Sequence, residues 1–198
     1  MRKTKTKEKF RIFTIGHSNH SMDTFLGLLK KHQIEVLIDT RSHPNSRHVP
    51  HFATDILKAA ASEAGLKYLF LGKELGGRPE GSQFYDSEGR VLYWRRASSA
   101  DFKEGIRSLE DELQKHRVAI LCSEEDPSCC HRRLLVGYVL TRHGIILEHI
   151  RGDGRVDQEE KVQTVDKQKS LFGEQGKQTW RSIQSVLQRG RQPNSLEH

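Results

Sequence analysis

The chain has no apolar run approaching the ~20 residues of a membrane span, and its Lys-rich opening MRKTKTKEKF lacks the apolar middle of a secretory signal. Cysteine is scarce. The three present, an odd number close together, argue against a secreted disulfide scaffold and point to free thiols in a reducing compartment. The expectation is a cytoplasmic protein with no membrane attachment. A hydrophobic content of 34% in 198 residues is low, yet enough for one ordinary α/β domain with tails.

An excess of one charge is present overall, +7, but not where a domain is expected. Residues 1–11 carry six basic groups and one acid, residues 151–198 nine and seven, and residues 12–150 eighteen of each. The domain is therefore neutral between basic ends. Such ends can hold a protein near phosphate backbones or simply solubilise it.

Apolar periodicity predicts the order of elements. A strand over Arg11 to Ile15 runs into Gly16, His17, Ser18 and Asn19, after which Ser21 caps a helix carrying Phe25, Leu28 and Leu29. Val36 to Ile38 reads as a buried parallel strand ending in Asp39, Thr40 and Arg41. The proline- and histidine-rich SHPNSRHVPHF, Ser42 to Phe52, is a loop, and Thr54 caps a helix closed by Gly65. Tyr68 to Leu71 is a third strand. The glycine-rich residues 72–97 form a connection long enough to be a lid, a binding loop or disordered. A helix over Asp101 to His116 leads into the strand Val118 to Leu121. A polar loop with Pro127 follows, then a helix with Leu134, Leu135, Tyr138 and Val139 on one face, ended by Gly144. Ile145 to Ile150 is a fifth strand.

The fold class is therefore α/β: a Rossmann-like, mostly parallel sheet of about five strands with helices on both faces. Residues 1–10 form a basic tail and 11–150 the single domain. Residues 151–195 are a polar extension with one helix near Thr179 to Gln188. The final LEH, 196–198, reads as a tag remnant and is set aside. In this architecture the C-terminal ends of all strands share one edge. His17 to Asn19, Asp39 to Arg41 and Cys122 to Arg132 should converge there.

The chemistry is concentrated in CSEEDPSCCHR, Cys122 to Arg132. A thiol at a helix N-terminus beside His and Arg favours its thiolate, from ~8.5 to ~4–7, and Cys130 fits that description best. It is a candidate nucleophile, with His131 as base or proton donor and Arg132 plus helix amides as an anion site. Cys122 is either the nucleophile itself, a resolving thiol, or a small residue buried at a strand end. Glu124 stands beside them. Asp39 could accept a proton and Arg41 could clamp a phosphate, or the two pair with each other or with Arg47. His17, His43, His48 and His51, with Cys122 and Cys130, carry zinc donor atoms. Their spacing matches no standard structural zinc pattern, so no metal ligands are assigned and the cofactor is left unspecified.

GHSN at Gly16 to Asn19, DTRSHPNSR at Asp39 to Arg47, ELGG at Glu74 to Gly77 and CSEEDPSCCHR together resemble the bacterial and archaeal family called domain of unknown function 488. The resemblance covers about residues 11–150. It implies an α/β domain with a site at these motifs and no settled reaction. His17, Ser18, Asn19, Asp39, Arg41, Cys122, Glu124, Pro127, Cys130, His131 and Arg132 fill the motif positions. Thr40, His43 and the extra thiol Cys129 depart from it. In the extension, QKSLF at Gln168 to Phe172 resembles the peptide by which bacterial DNA-replication proteins dock on the sliding clamp. Gln168, Leu171 and Phe172 would make the contact.

The expected function is a Cys/His-dependent enzyme, a hydrolase or transferase, acting on a phosphate-bearing substrate such as a nucleotide or nucleic acid. Catalysis would fall to Cys122, Cys130, His131, His17, Asp39 and Glu124, and substrate contacts to Ser18, Asn19, Arg41, Arg47 and Arg132. Two alternatives stand beside it. One is a non-catalytic nucleotide- or nucleic-acid-binding module recruited through the clamp-like segment. The other is a metal-dependent hydrolase using the histidine-rich loop.

Overall fold

The computed structural model describes residues 10–162 and 180–186. The elements run β1 (Arg11–Gly16), α1 (Met22–Lys31), β2 (Val36–Asp39), α2 (Thr54–Glu63), β3 (Lys67–Phe70), α3 (Gly72–Leu75), α4 (Tyr93–Ser98), α5 (Ala100–Leu113) and β4 (Val118–Cys122). A π-helical segment, Arg132–Gly137, then continues into α6 (Tyr138–Arg142), followed by β5 (Ile146–Ile150) and β6 (Val156–Gln158). The sheet order is β3-β2-β4-β1-β5-β6. The first five strands are mutually parallel and β6 is antiparallel to β5, giving the expected mostly parallel α/β sheet with one further strand.

Two apolar layers sandwich the sheet because successive strand residues face opposite sides. On one face Phe25 and Leu29 of α1 and Leu57 of α2 pack on Phe13, Leu37 and Leu121. On the other, Phe102 and Ile106 of α5 and Leu135 and Leu140 beyond β4 pack on Ile12, Ile38 and Ile120. Each such side chain, fully buried, contributes roughly 1.5–3 kcal/mol. The same alternation decides which way the polar strand ends point. By parity Cys122 turns to the α5–α6 face, whereas His17 and Asp39 turn to the α1–α2 face.

Several boundaries differ from the expectation. Ser21 caps α1 by accepting from the Thr24 N–H at 3.1 Å, but Thr54 is the first residue of α2 and its N–H donates to Asn45 Oδ1 at 3.2 Å. The cap comes from the preceding loop. Residues 72–97 are ordered, with α3, α4 and a Tyr85–Val91 bridge. The domain does not end at residue 150. Val156 to Gln158 joins the sheet edge as a polar strand held by ladder bonds and the Arg151–Asp157 ion pair, 3.2 Å, so it carries no apolar run that sequence reading could find. The helix expected near Thr179 to Gln188 is absent over 180–186. There Arg181 bridges to Leu92, Ser182 exchanges bonds with the Val91 backbone (2.8 and 2.9 Å), and the Trp180 indole donates to Leu134 O at 2.9 Å. Pairing with a neighbouring strand replaces local helical bonds. Among the described residues no helix is long and apolar enough to cross a membrane. Gln168, Leu171 and Phe172 lie outside the described residues.

Candidate functional site

β4 is flanked by β2 and β1 within the sheet, so its C-terminal end is enclosed on both sides. Past Cys122 the chain makes a loop whose shape is dictated from below. Arg132, fully buried, donates from Nη1 to Glu124 O, from Nη2 to Glu125 O at 2.6 Å and from Nε to Thr14 Oγ1 at 3.3 Å. Asp126 accepts from Ser128 N–H (2.9 Å) and Ser128 Oγ–H (2.8 Å), capping the Pro127–Cys129 turn. The loop crosses so close to β1 that a Cβ on Gly16 would collide with the Glu124 carbonyl. These contacts return the chain over its own strand end. Cys130 and His131 are thereby set beside Cys122.

Cys122 Sγ lies 3.6 Å and Cys130 Sγ 3.9 Å from His131 Nδ1. The far ring nitrogen, Nε2, is 3.1 Å from Thr40 O, a pure acceptor, so Nε2 carries its hydrogen and Nδ1 faces the sulfurs. Gly77 packs on the ring, where a Cβ would come within 2.7 Å of Cγ. That accounts for the second glycine of ELGG, and the first is needed because a Cβ there would meet Gly72 O and Ser42 Oγ. Both sulfur-bearing residues are buried and all three cysteines are free.

The thiols are not equivalent. Cys122 is held well below the usual thiol range by the Cys130 S–H donated to it, which with His131 and Arg132 outweighs burial. Cys130 is pushed well above that range by burial and by the same bond. Burial opposes charge on His131, but the Cys122 thiolate overcomes this and raises it. These directions favour Cys122 over Cys130 as the thiolate of the pair. Cys130 is extended (φ −92°, ψ 140°) and stands at the start of the helical turn, its carbonyl accepting from the Arg133 and Leu134 N–H groups at 3.1 and 3.0 Å. Cys129 is exposed, and its thiol is raised by partial burial and by Asp126 and Glu124.

These groups open onto a cavity of about 390 Å³. Arg41, Ser42, His43, Gly77 and Arg78 line one side, and Ser123, Glu124 and Cys129 another. Ser182 to Val186 closes it. Of these, Ser42, Arg78 and the 182–186 segment escaped sequence reading. Arg78 follows ELGG directly, and its N–H is fixed by Ser42 Oγ at 2.9 Å. The 182–186 segment carries no recognisable signal.

The other expected site residues are placed differently. Asp39 and Arg41 pair with each other, the alternative noted from sequence, at 2.6 Å, with Tyr68 O–H donating to Asp39 at 2.7 Å and Arg41 Nη1 to Phe52 O at 2.9 Å. Asp39 is thus engaged rather than free to accept a proton. His17 stacks on Phe52 at 4.3 Å, and burial lowers its pKa to about 4. Its Nδ1–H donates to Ser18 O (2.8 Å) and its Nε2 accepts from Arg41 (3.1 Å), so it positions Arg41 as a neutral ring. The proton-transfer role expected of His17 is not supported by this setting. Ser18, with φ 47°, donates its N–H to Ser123 O at 2.9 Å. Neither Ser18, Asn19 nor Arg47 lines the cavity, and Arg47 is exposed. Arg132 is closed to any ligand because its donors hold the loop. Of the histidines in the 42–52 loop, His43 alone lines the cavity, while His51 Nε2 lies 2.9 Å from His20 O.

Fold and site together define a parallel α/β protein with a paired-thiol and imidazole centre at the C-terminal end of a central strand. The chain belongs to the family of the domain of unknown function DUF488, whose model matches residues 21–139. No curated protein and no solved structure matches it.

Proposed function

We propose that this protein is a cytoplasmic Cys/His-dependent enzyme, a hydrolase or transferase acting on a phosphate-bearing substrate, a nucleotide or nucleic acid. The observation that carries the reading is Cys122 Sγ lying 3.6 Å from His131 Nδ1 at the wall of a cavity bordered by Arg78. Cys122 is the nucleophile. Its sulfur bonds to the substrate's electrophilic atom as the bond to the leaving oxygen breaks, and the proton on His131 Nδ1 passes to that oxygen. Water, or an acceptor hydroxyl in a transferase, then cleaves the covalent intermediate. It gives its proton back to His131 and frees the Cys122 thiolate.

Cys130 supports the charge on Cys122 by donating its S–H. Arg78, exposed at the rim, contacts the phosphate, with Arg41 forming the wall behind it. Glu124 is placed to repel a wrongly oriented anion. Incubation with a panel of nucleotides and short oligonucleotides tests this. Turnover by the native chain and none by Cys122→Ser or His131→Ala is expected. Full turnover by Cys122→Ser would overturn the assignment.

The clamp-like Gln168, Leu171 and Phe172 supply recruitment in this reading. A peptide spanning Val165 to Gly173 should bind a bacterial sliding clamp, and Leu171→Ala with Phe172→Ala should abolish it. Absence of binding at high micromolar clamp would remove that part of the proposal.

A further inference from the structure

The three donor atoms at the cavity wall satisfy a geometric condition that thiol catalysis does not require. A tetrahedral zinc ion with Zn–S of about 2.3 Å and Zn–N of about 2.05 Å sets its sulfur and nitrogen ligands about 3.6 Å apart. The two Sγ–Nδ1 separations are 3.6 and 3.9 Å, and all three donor atoms lie within 4.8 Å of one another.

The imidazole is also oriented as a ligand. Thr40 O accepts from Nε2–H at 3.1 Å, so Nδ1 faces the sulfurs and, once a metal displaces its proton, has the arrangement in which a metal-bound histidine donates its other N–H to a carbonyl. That carbonyl is itself fixed, because Thr40 N–H and Oγ1–H both donate to Leu121 O, at 3.1 and 2.9 Å. Two thiolates and an imidazole are a soft donor set that selects zinc over magnesium or calcium. Cys122, Cys130 and His131 all border the cavity. Among the described residues, no histidine of the 42–52 loop belongs to this three-donor cluster.

We infer that Cys122, Cys130 and His131 form a three-ligand site for Zn²⁺, with its fourth position open to the cavity, and that occupancy withdraws Cys122 from thiol chemistry. The site stands on geometry alone. Its inhibitory consequence rests on the reading of Cys122 as nucleophile. A sulfur whose lone pair is bound to zinc does not attack an electrophile, so zinc level becomes a reversible control on the same centre.

The test uses the full chain, stripped with a chelator under reducing conditions and titrated with Co²⁺ as a spectroscopic stand-in. One equivalent should give the visible bands of tetrahedral cobalt and a near-ultraviolet sulfur-to-cobalt band, both displaced by Zn²⁺. Loss of an outer-shell partner typically weakens metal binding 10–100-fold, so Cys130→Ser and His131→Ala should each weaken it by about 100-fold or more. Cys129→Ser should leave it unchanged. Because a ligand variant could fail to fold, the unmutated chain is also alkylated with and without Zn²⁺. Protection of Cys122 and Cys130, with Cys129 still modified, supports the site. No tetrahedral spectrum and no protection would overturn it, even if Cys122 proves reactive in the stripped protein. A tetrahedral spectrum with an inert Cys122 in the stripped protein would keep the site and overturn its inhibitory role together with the thiol reading.

Discussion

The ends of β2 and β4 are neighbours in the sheet and look alike in sequence, each an apolar run breaking into charged and polar residues, yet their groups are put to opposite uses. At β2, Asp39 and Arg41 meet each other, Tyr68, His17 and Phe52 O, and both are almost wholly buried. At β4, Cys122, Cys130 and His131 meet one another at the cavity wall, with Thr40 O and Gly77 holding the imidazole. The difference follows from strand parity. Asp39 points to the α1–α2 face, where Phe52 seals the cluster, and Cys122 to the α5–α6 face, where the loop before the π-helical segment leaves space. The groups at the end of β2 are taken up by their partners, whereas those at the end of β4 face a cavity.

The sharpest way to break this comparison is substitution at both ends. Cys122→Ala should lower turnover of any substrate the native chain processes by about 10⁴-fold or more, as expected for a covalent nucleophile, while leaving the denaturant midpoint nearly unmoved. Arg41→Ala should do the reverse first. It leaves the Asp39 carboxylate buried without its partner, which typically costs about 3–5 kcal/mol, read in urea unfolding. A Cys122 variant that unfolds, or an Arg41 variant as stable as the native chain, would erase the distinction.

The pH dependence of stability sharpens it further. His17 is neutral in the fold because burial lowers its pKa from 6.5 to about 4. The unfolded chain therefore binds a proton that the folded chain refuses as pH falls through that window. This contribution is present above pH 6.5 and lost progressively towards pH 4, on the order of 3 kcal/mol in all. Replacing His17 with Gln should flatten that slope in urea titrations between those limits. An unchanged slope would show that His17 is not held neutral.

Smaller effects concern the rim. Arg78→Ala should weaken binding of inorganic phosphate or a nucleotide by about tenfold, the value of one charge-assisted hydrogen bond, with no change in unfolding. Calorimetry on the native chain and the variant reads it. Equal affinity would remove Arg78 from the site.

How far all this is legible in the sequence varies by scale. The alternation of apolar runs announced the parallel sheet and the convergence of motifs on one edge, because buried parallel strands must be continuously apolar. Ser21 and Gly65 announced their helix ends for equally local reasons. The edge strand Val156 to Gln158 and the segment 180–186 escaped because they are held by backbone pairing and by single contacts such as Trp180 with Leu134 O. Such contacts leave no period behind. Within the site, residue types were visible but their division of labour was not. Arg132 read as an anion ligand and proved to be the strut beneath the loop. Cys130 read as the activated thiol, whereas burial pushes its pKa up and that of Cys122 is held down. Both reversals come from which carbonyl or sulfur each side chain reaches, a fact of tertiary structure alone.

The most direct test of the central claim is the rate at which each cysteine of the chelator-treated chain is alkylated at neutral pH, resolved by mass spectrometry. Simple accessibility ranks Cys129 first, since it is exposed whereas Cys122 is 5% and Cys130 2% exposed. Activation by Cys130 and His131 instead ranks Cys122 first, and that is the expected result. Fast modification of Cys129 with Cys122 inert would contradict the account.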